Sequence, residues 1–309
     1  MKYRTGIAIA ALAWLAALPA ASAETVLHHV HGLAFTPDGK ALMVPAHIGL
    51  AVYRDGRWTT APGDPHDFMG FSVAKKAIYT SGHPSPTSPL RNPLGLMKSS
   101  DGGKSWQQLG LSGESDFHVM AAGYASNAIY VINAEANSRM RQTGLHVTLD
   151  ESKTWKRGAS SGLSGQITSL AAHPTAAGTV AVGTSSGLYL SRDHGGTFER
   201  VGQAGVVTAV TFDFDGKHVY FATDAADRLH RITLEGTQAT ASSLPPLGRD
   251  FVLYIAQNAS GTKELAIATR QRDVYLSRDA GNSWQPIARQ GEDMRVASNQ
   301  SAPLRKSPK

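Results

Sequence analysis

No cysteine occurs anywhere in the 309 residues. Disulfides are excluded as a source of stability in any compartment, and no cysteine follows the apolar N-terminal stretch to carry a lipid anchor. Stability must come from a buried core, for which a chain this long has ample material. Long apolar runs are equally scarce. Beyond residue 23 none approaches the roughly 20 residues that a bilayer-spanning helix needs, so the chain is not membrane-embedded. A basic stripe interleaved with aromatics, the footprint of nucleic-acid binding, is also missing, and nucleic acid is not an expected partner.

The N-terminus carries a positive charge pair, Lys2 and Arg4, then an apolar run from Gly6 to Leu18, then Ala21-Ser22-Ala23. This order matches a secretory signal with cleavage after Ala23. The expected mature chain begins at Glu24 and is periplasmic or secreted. Loss of Lys2 and Arg4 lowers the formal charge from +6 to +4. Much of the remainder lies in residues 297–309, where Arg305, Lys306 and Lys309 stand among Ser, Pro and Asn, a composition that reads as a disordered basic tail. Residues 24–296 form the expected single domain, as a monomer.

One phrase recurs in that domain. Ser99-Ser100-Asp101-Gly102-Gly103-Lys104-Ser105-Trp106 returns at Thr148 to Trp155, at Ser191 to Phe198 and at Ser277 to Trp284. The second copy departs, with Ser152 where Gly is expected. In such a phrase the Asp side chain caps its own tight turn, the Gly takes a positive φ, and the aromatic fills space between neighbouring sheets. Each copy follows a β-rich stretch such as Gly187-Leu188-Tyr189-Leu190, with two further short strands before it. Four strands per unit is the length of a propeller blade. Inner strands beginning near Val30, Phe68, Phe117, Ile167, Val207 and Phe251 predict an all-β, six-bladed β-propeller. Blades 1 and 5 keep the turns and lose the phrase, and residues 24–29 stand beside blade 1 as a candidate closing strand.

The phrase resembles the Asp-box, or BNR, repeat of sialidases, sortilin-type receptors and photosystem-assembly propellers. The segments His29-Val30-His31-Gly32-Leu33, Asp67-Phe68-Met69-Gly70-Phe71, Ser81-Gly82-His83-Pro84 and Asn92-Pro93-Leu94-Gly95-Leu96 are similar to small exported bacterial propellers labelled glycosyl-hydrolase-like. The resemblance implies the propeller and raises two functions, glycoside hydrolysis and docking of a protein partner on the axial face. Sialidases hold a carboxylate with three Arg, whereas Arg91, Arg139 and Arg141 here all fall in loops and are not expected to converge. No catalytic residue is assigned.

Superposing the blades aligns His31, Met69, His118, Thr168, Thr208 and Val252 at the start of the inner strands. The end of the second strand aligns His47, His83 and Glu135. Side chains alternate along a strand, so the first set is expected to point at the axial mouth. The expected metal ligands are therefore His31, His47, Met69, His83, His118 and Glu135. Asp67 and Asp116 are placed to accept an imidazole N–H. A His/Met set without Cys suits copper, above all Cu(I), with zinc as the alternative. His146, His173, His194, His218 and His230 are read as structural.

Overall fold

Short apolar or alternating runs, cut by Gly- and Asp-bearing turns, become strands that are too brief to stand alone and must stack. The structure, a computed structural model, describes residues 27–202 and 205–294. The expected export signal and basic tail lie outside the described residues. Blade 1 comprises β1 (Ala34–Phe35), β2 (Leu42–Pro45), β3 (Leu50–Arg54) and β4 (Arg57–Thr60). Blade 2 comprises β5 (Asp67–Ala74), β6 (Ala77–His83), β7 (Leu96–Ser99) and β8 (Gln107–Gly110). Blade 3 holds β9 (Met120–Ala122), β10 (Ile129–Asn133), β11 (Gly144–Thr148) and β12 (Lys156–Arg157). Blade 4 holds β13 (Ile167–Ala172), β14 (Val180–Thr184), β15 (Gly187–Ser191) and β16 (Glu199–Arg200). Blade 5 runs β17 (Val207–Phe212), β18 (His218–Thr223), β19 (Arg228–Thr233) and β20 (Ala239–Ser243). Blade 6 runs β21 (Val252–Gln257), β22 (Leu265–Thr269), β23 (Val274–Ser277), β24 (Gln285–Arg289) and a fifth strand, β25 (Glu292–Asp293). All neighbours are antiparallel, and no helix among the described residues is long and apolar enough to cross a membrane.

The inner strands touch in a closed ring, β1 to β5, β9, β13, β17, β21 and back to β1. A six-bladed β-propeller results. Each gap between blades holds its own apolar cluster. Tyr130, Val147, Leu170, Val182 and Tyr189 fill the gap between blades 3 and 4, for example, and Leu188, Leu190, Val207, Phe212 and Phe221 that between blades 4 and 5. The aromatic of each repeated phrase plugs the gap toward the preceding blade: Trp106, Trp155, Phe198 and Trp284.

The four Asp turns share one hydrogen-bond plan. At Asp193, Oδ1 accepts from Ser191 Oγ at 2.7 Å and from Thr197 N–H at 2.8 Å, while Oδ2 accepts from Thr197 Oγ1 at 2.9 Å. The Thr197 N–H and the hydroxyls of Ser191 and Thr197 favour the ionised form and bring this carboxyl down to about 2. Ser152 adopts φ +74° where Gly103, Gly195 and Gly281 sit in the other copies. Its hydroxyl accepts Trp155 Nε1–H at 3.1 Å, a bond that glycine cannot make.

These turns join the third and fourth strands of their blades. By the antiparallel order they open on the face opposite the segments that enter β1, β5 and β9 and the β2–β3 and β6–β7 loops.

Among the described residues, no strand precedes β1, and the ring is closed by individual bonds. Leu27, 1% exposed, donates its N–H to Gly291 O at 2.8 Å. Trp58 Nε1–H reaches Ile287 O at 2.9 Å, and Asn258 Nδ2 reaches Gly39 O at 2.9 Å. The ladder of blade 1 starts at Ala34 and that of blade 3 at Met120, later than the sequence pattern suggests, so His31 and His118 lie on the extended segments leading in.

Candidate metal centre

The channel down the axis has a volume of about 220 Å³. His31, His118, Thr168 and Leu253 are among the residues that line it. At the other end Tyr124 crosses the opening, its hydroxyl donating to Pro37 O at 3.3 Å and its ring edge-on to Phe214 at 4.8 Å.

Two of the expected axial positions are corrected by β-bulges. In blade 2, Phe68 pairs with Gly82 and Phe71 with Thr80, so Met69 and Gly70 oppose Ser81 alone. A bulge of this kind re-aims side chains at a rim, and Met69 is not among the residues lining the channel. In blade 6 the shift falls between Val252 and Tyr254. Val252 is fully buried against the Ala209–Ile267 cluster, and Leu253 takes the channel position. Thr208 is likewise buried, its hydroxyl turned to Ala222 O.

The imidazoles form two groups rather than the single cluster expected. In the first, one ring nitrogen from each of His29, His31 and His47 lies within 4.8 Å of the other two. Ring centroids are 4.3 Å apart for His29 and His47 and 4.9 Å for His31 and His47. His47 Nδ1 is 2.8 Å from Asp67 Oδ1, which joins blade 1 to blade 2. His31 Nε2 is buried and has no hydrogen-bond partner among the described residues. Burial, reinforced by the neighbouring His47, pushes the His31 imidazole down to about 4. Burial followed by His47 also lowers His29. The ring nitrogens of His29 and His31 are thus held as uncharged electron-pair donors.

His29 escaped the sequence reading because it precedes the first ladder. The signal was present, since His29 and His31 are two apart on an extended segment and share a side.

The second group gathers on Asp116. His83 Nε2 is 3.1 Å and His118 Nδ1 3.3 Å from Asp116 Oδ2. The other His83 nitrogen, Nδ1, is 2.7 Å from Asn92 Oδ1. Asp116 is only 13% exposed at its side chain, and Oδ1 is buried without a partner among the described residues. Burial pushes its carboxyl above the usual carboxylate range, against the pull of His118 and His83.

Two glycines permit the approach. A Cβ on Gly70 would sit 1.8 Å from Phe117 O, and one on Gly82, at φ +142°, 2.0 Å from Asp67 O. Either substitution would displace the backbone beside His83 or His118.

The remaining expected residues lie elsewhere. Glu135 is exposed in the loop after β10. Met140 in the same loop is 1% exposed and belongs to the core between blades 2 and 3. Arg139 donates to Ser152 O, Arg91 packs beside Gly113, and Arg141 lies near Glu114. None of the three lines the channel. His173 and His146 are tied to Gly216 O and Gly144 O. A third set of donors, Asp213, Asp215 and His218, is filled by Arg231, which bonds both carboxylates at 2.7 and 2.6 Å.

The chain is therefore a six-bladed β-propeller with a histidine-rich rim at one axial mouth. No family model and no curated protein matches its sequence. Among solved structures it is similar to a GH74 xyloglucanase from Xanthomonas campestris, with TM-score 0.56 and 18% identity, over 86% of this chain and 46% of that one. It is also similar to the extracellular domain of a protein assigned as a hybrid two-component system from B. thetaiotaomicron, with TM-score 0.53 and 14% identity, over 89% and 34% of the two chains. YCF48 bound to D1 peptide aligns with TM-score 0.48 and 17% identity, over 85% and 81%. The chain thus spans about half the length of the xyloglucanase chain and a third of that extracellular domain. At these identities the likeness concerns the fold.

Proposed function

We propose that this is an exported propeller that binds copper at its axial rim through His29, His31 and His47 and serves the handling or tolerance of that metal. The observation that carries the reading is three imidazole nitrogens within 4.8 Å of one another, one ring having a buried, unpartnered Nε2. Three imidazoles around one ion at about 2.0–2.1 Å need donor separations of about 3.4 Å, which small rotamer changes supply. Asp67 against His47 Nδ1 is the outer carboxylate that fixes ring tautomer and orientation in such sites. The trio is all nitrogen, so the preference for Cu(I) that a thioether would add is not needed. Cu(II) leads zinc in the order of divalent affinities.

The test is titration of the metal-free protein, without a His-tag, with Cu(II) and Zn(II). Wild type is expected to bind Cu(II) tighter than micromolar, and the His29→Ala/His31→Ala double variant to lose that binding. Equal Cu(II) binding by the double variant would overturn the assignment.

A second reading, glycoside hydrolysis, draws on the xyloglucanase likeness and on two carboxylates, Asp67 and Asp116, at the same mouth, one ion-paired and one raised by burial. Turnover of a β-glucan by the purified protein, lost in Asp116→Asn, would favour it over copper handling.

A further inference from the structure

We propose that the rim carries a second, separate cation site formed by His83, Asp116 and His118, suited to a divalent first-row ion such as zinc. Its residues are distinct from the trio, so it stands or falls independently of the copper reading. The geometry comes first. Donors bound to one ion at about 2.0–2.2 Å in a tetrahedral arrangement lie about 3.4 Å from each other. Two of the three donor pairs, those that meet at Asp116 Oδ2, are already 3.1 and 3.3 Å apart. The His83 and His118 nitrogens are farther from each other, and rotation of these exposed rings is needed to close the third pair.

The hydrogen-bond inventory adds a second argument. An amide oxygen can only accept, so His83 Nδ1 carries the hydrogen toward Asn92 Oδ1 and its Nε2 presents a lone pair in the neutral ring. That lone pair faces a carboxylate oxygen, an arrangement which requires a positive centre between them, either a proton or a metal ion. Asn92 thereby occupies the outer position that orients a ligating imidazole. Asp116 Oδ1, buried and unpartnered, is a further acceptor left unsatisfied within the protein, and a bidentate carboxylate would use it.

Two imidazoles and one carboxylate make a harder donor set than three imidazoles, of the kind that leaves coordination positions open. His83 and His118 are 40% and 58% exposed at their side chains, so those positions face solvent. The two sites are neighbours. Asp67, which supports His47, is the direct cross-strand partner of His83, and His118 acts electrostatically on His31. An ion in one site therefore repels an ion in the other.

Zinc content of the full chain, measured by calorimetric titration with Zn(II) and by elemental analysis, tests this. Wild type is expected to take up two equivalents, the second more weakly. Asp116→Asn and, separately, His118→Ala should each retain one, and His29→Ala/His31→Ala should retain the other. His118 is exposed, so its replacement keeps the test informative if Asp116→Asn misfolds. Unchanged zinc content in both Asp116→Asn and His118→Ala would overturn the second site, as would loss of all zinc from the double variant. A single wild-type equivalent, lost in Asp116→Asn and kept in the double variant, would uphold this site and overturn the trio.

Discussion

His31 shows how much burial decides about one side chain. An imidazole outside a protein titrates near 6.5, and this one is held down to about 4 by burial and then by His47, with Asp67 pulling weakly the other way. Above pH 6.5 the ring is neutral folded and unfolded, and its titration costs nothing. As pH falls through 6.5 the unfolded chain takes a proton that the folded chain refuses, and stability declines until about pH 4, where the loss is complete. His29, shifted in the same direction, adds to the trend. Thermal unfolding of the metal-free protein from pH 7 to 4 should therefore fall less steeply for His31→Gln than for wild type. Parallel slopes would mean that the ring is solvated after all.

The repeated turn is a self-contained element, and its plan is local enough to be legible. All the bonds that Asp193 makes within it lie inside seven residues, from Ser191 to Thr197. The carboxylate has no neighbour on the histidine rim. Asp193→Ala is expected to lower the melting temperature by a few degrees, the effect of about a kilocalorie in a domain of this size, and to leave metal affinity unchanged. A changed affinity would give these turns a part in binding. Acid should loosen them as well: a carboxyl held near 2 contributes stability above its ordinary value that disappears as pH drops toward 2. The same locality explains why four blades could be read from the chain directly, and why the alternating apolar runs gave six inner strands. The bulges could not be read. Whether Met69 or Val252 faces the axis depends on the extra residue opposite Ser81 in blade 2 and on Leu253, itself the extra residue, in blade 6, and pairing across strands leaves no mark in either strand alone. Likewise, that His83 turns to Asp116 in the next blade is set by packing between blades, whose contact at Gly70 is legible only after folding.

At the level of the ring, the chain itself crosses five of the six interblade junctions and leaves one seam, where blade 6 meets blade 1. Leu27, Trp58 and Ile287 fill it, and a backbone bond from Leu27 N–H to Gly291 O and a side-chain bond from Trp58 Nε1–H to Ile287 O tie it. Leu27→Ala should cost about 2–5 kcal/mol, the usual range for emptying a core position of that size, and it should weaken Cu(II) binding, because His29 lies two residues further on. Unfolding of the variant with and without Cu(II) checks both. Full copper affinity in a destabilised Leu27→Ala would separate the seam from the site. Arg272 adds a bond from blade 6 to His28 O at 3.0 Å, so the segment that carries His29 is sewn to the last blade while His31 and His47 belong to the first. An ion shared by these three rings would be a clasp across the opening of the ring. Closure and capture would then be one equilibrium: whatever loosened the seam would release the ion with the blades intact, and whatever supplied the ion would lock the circle.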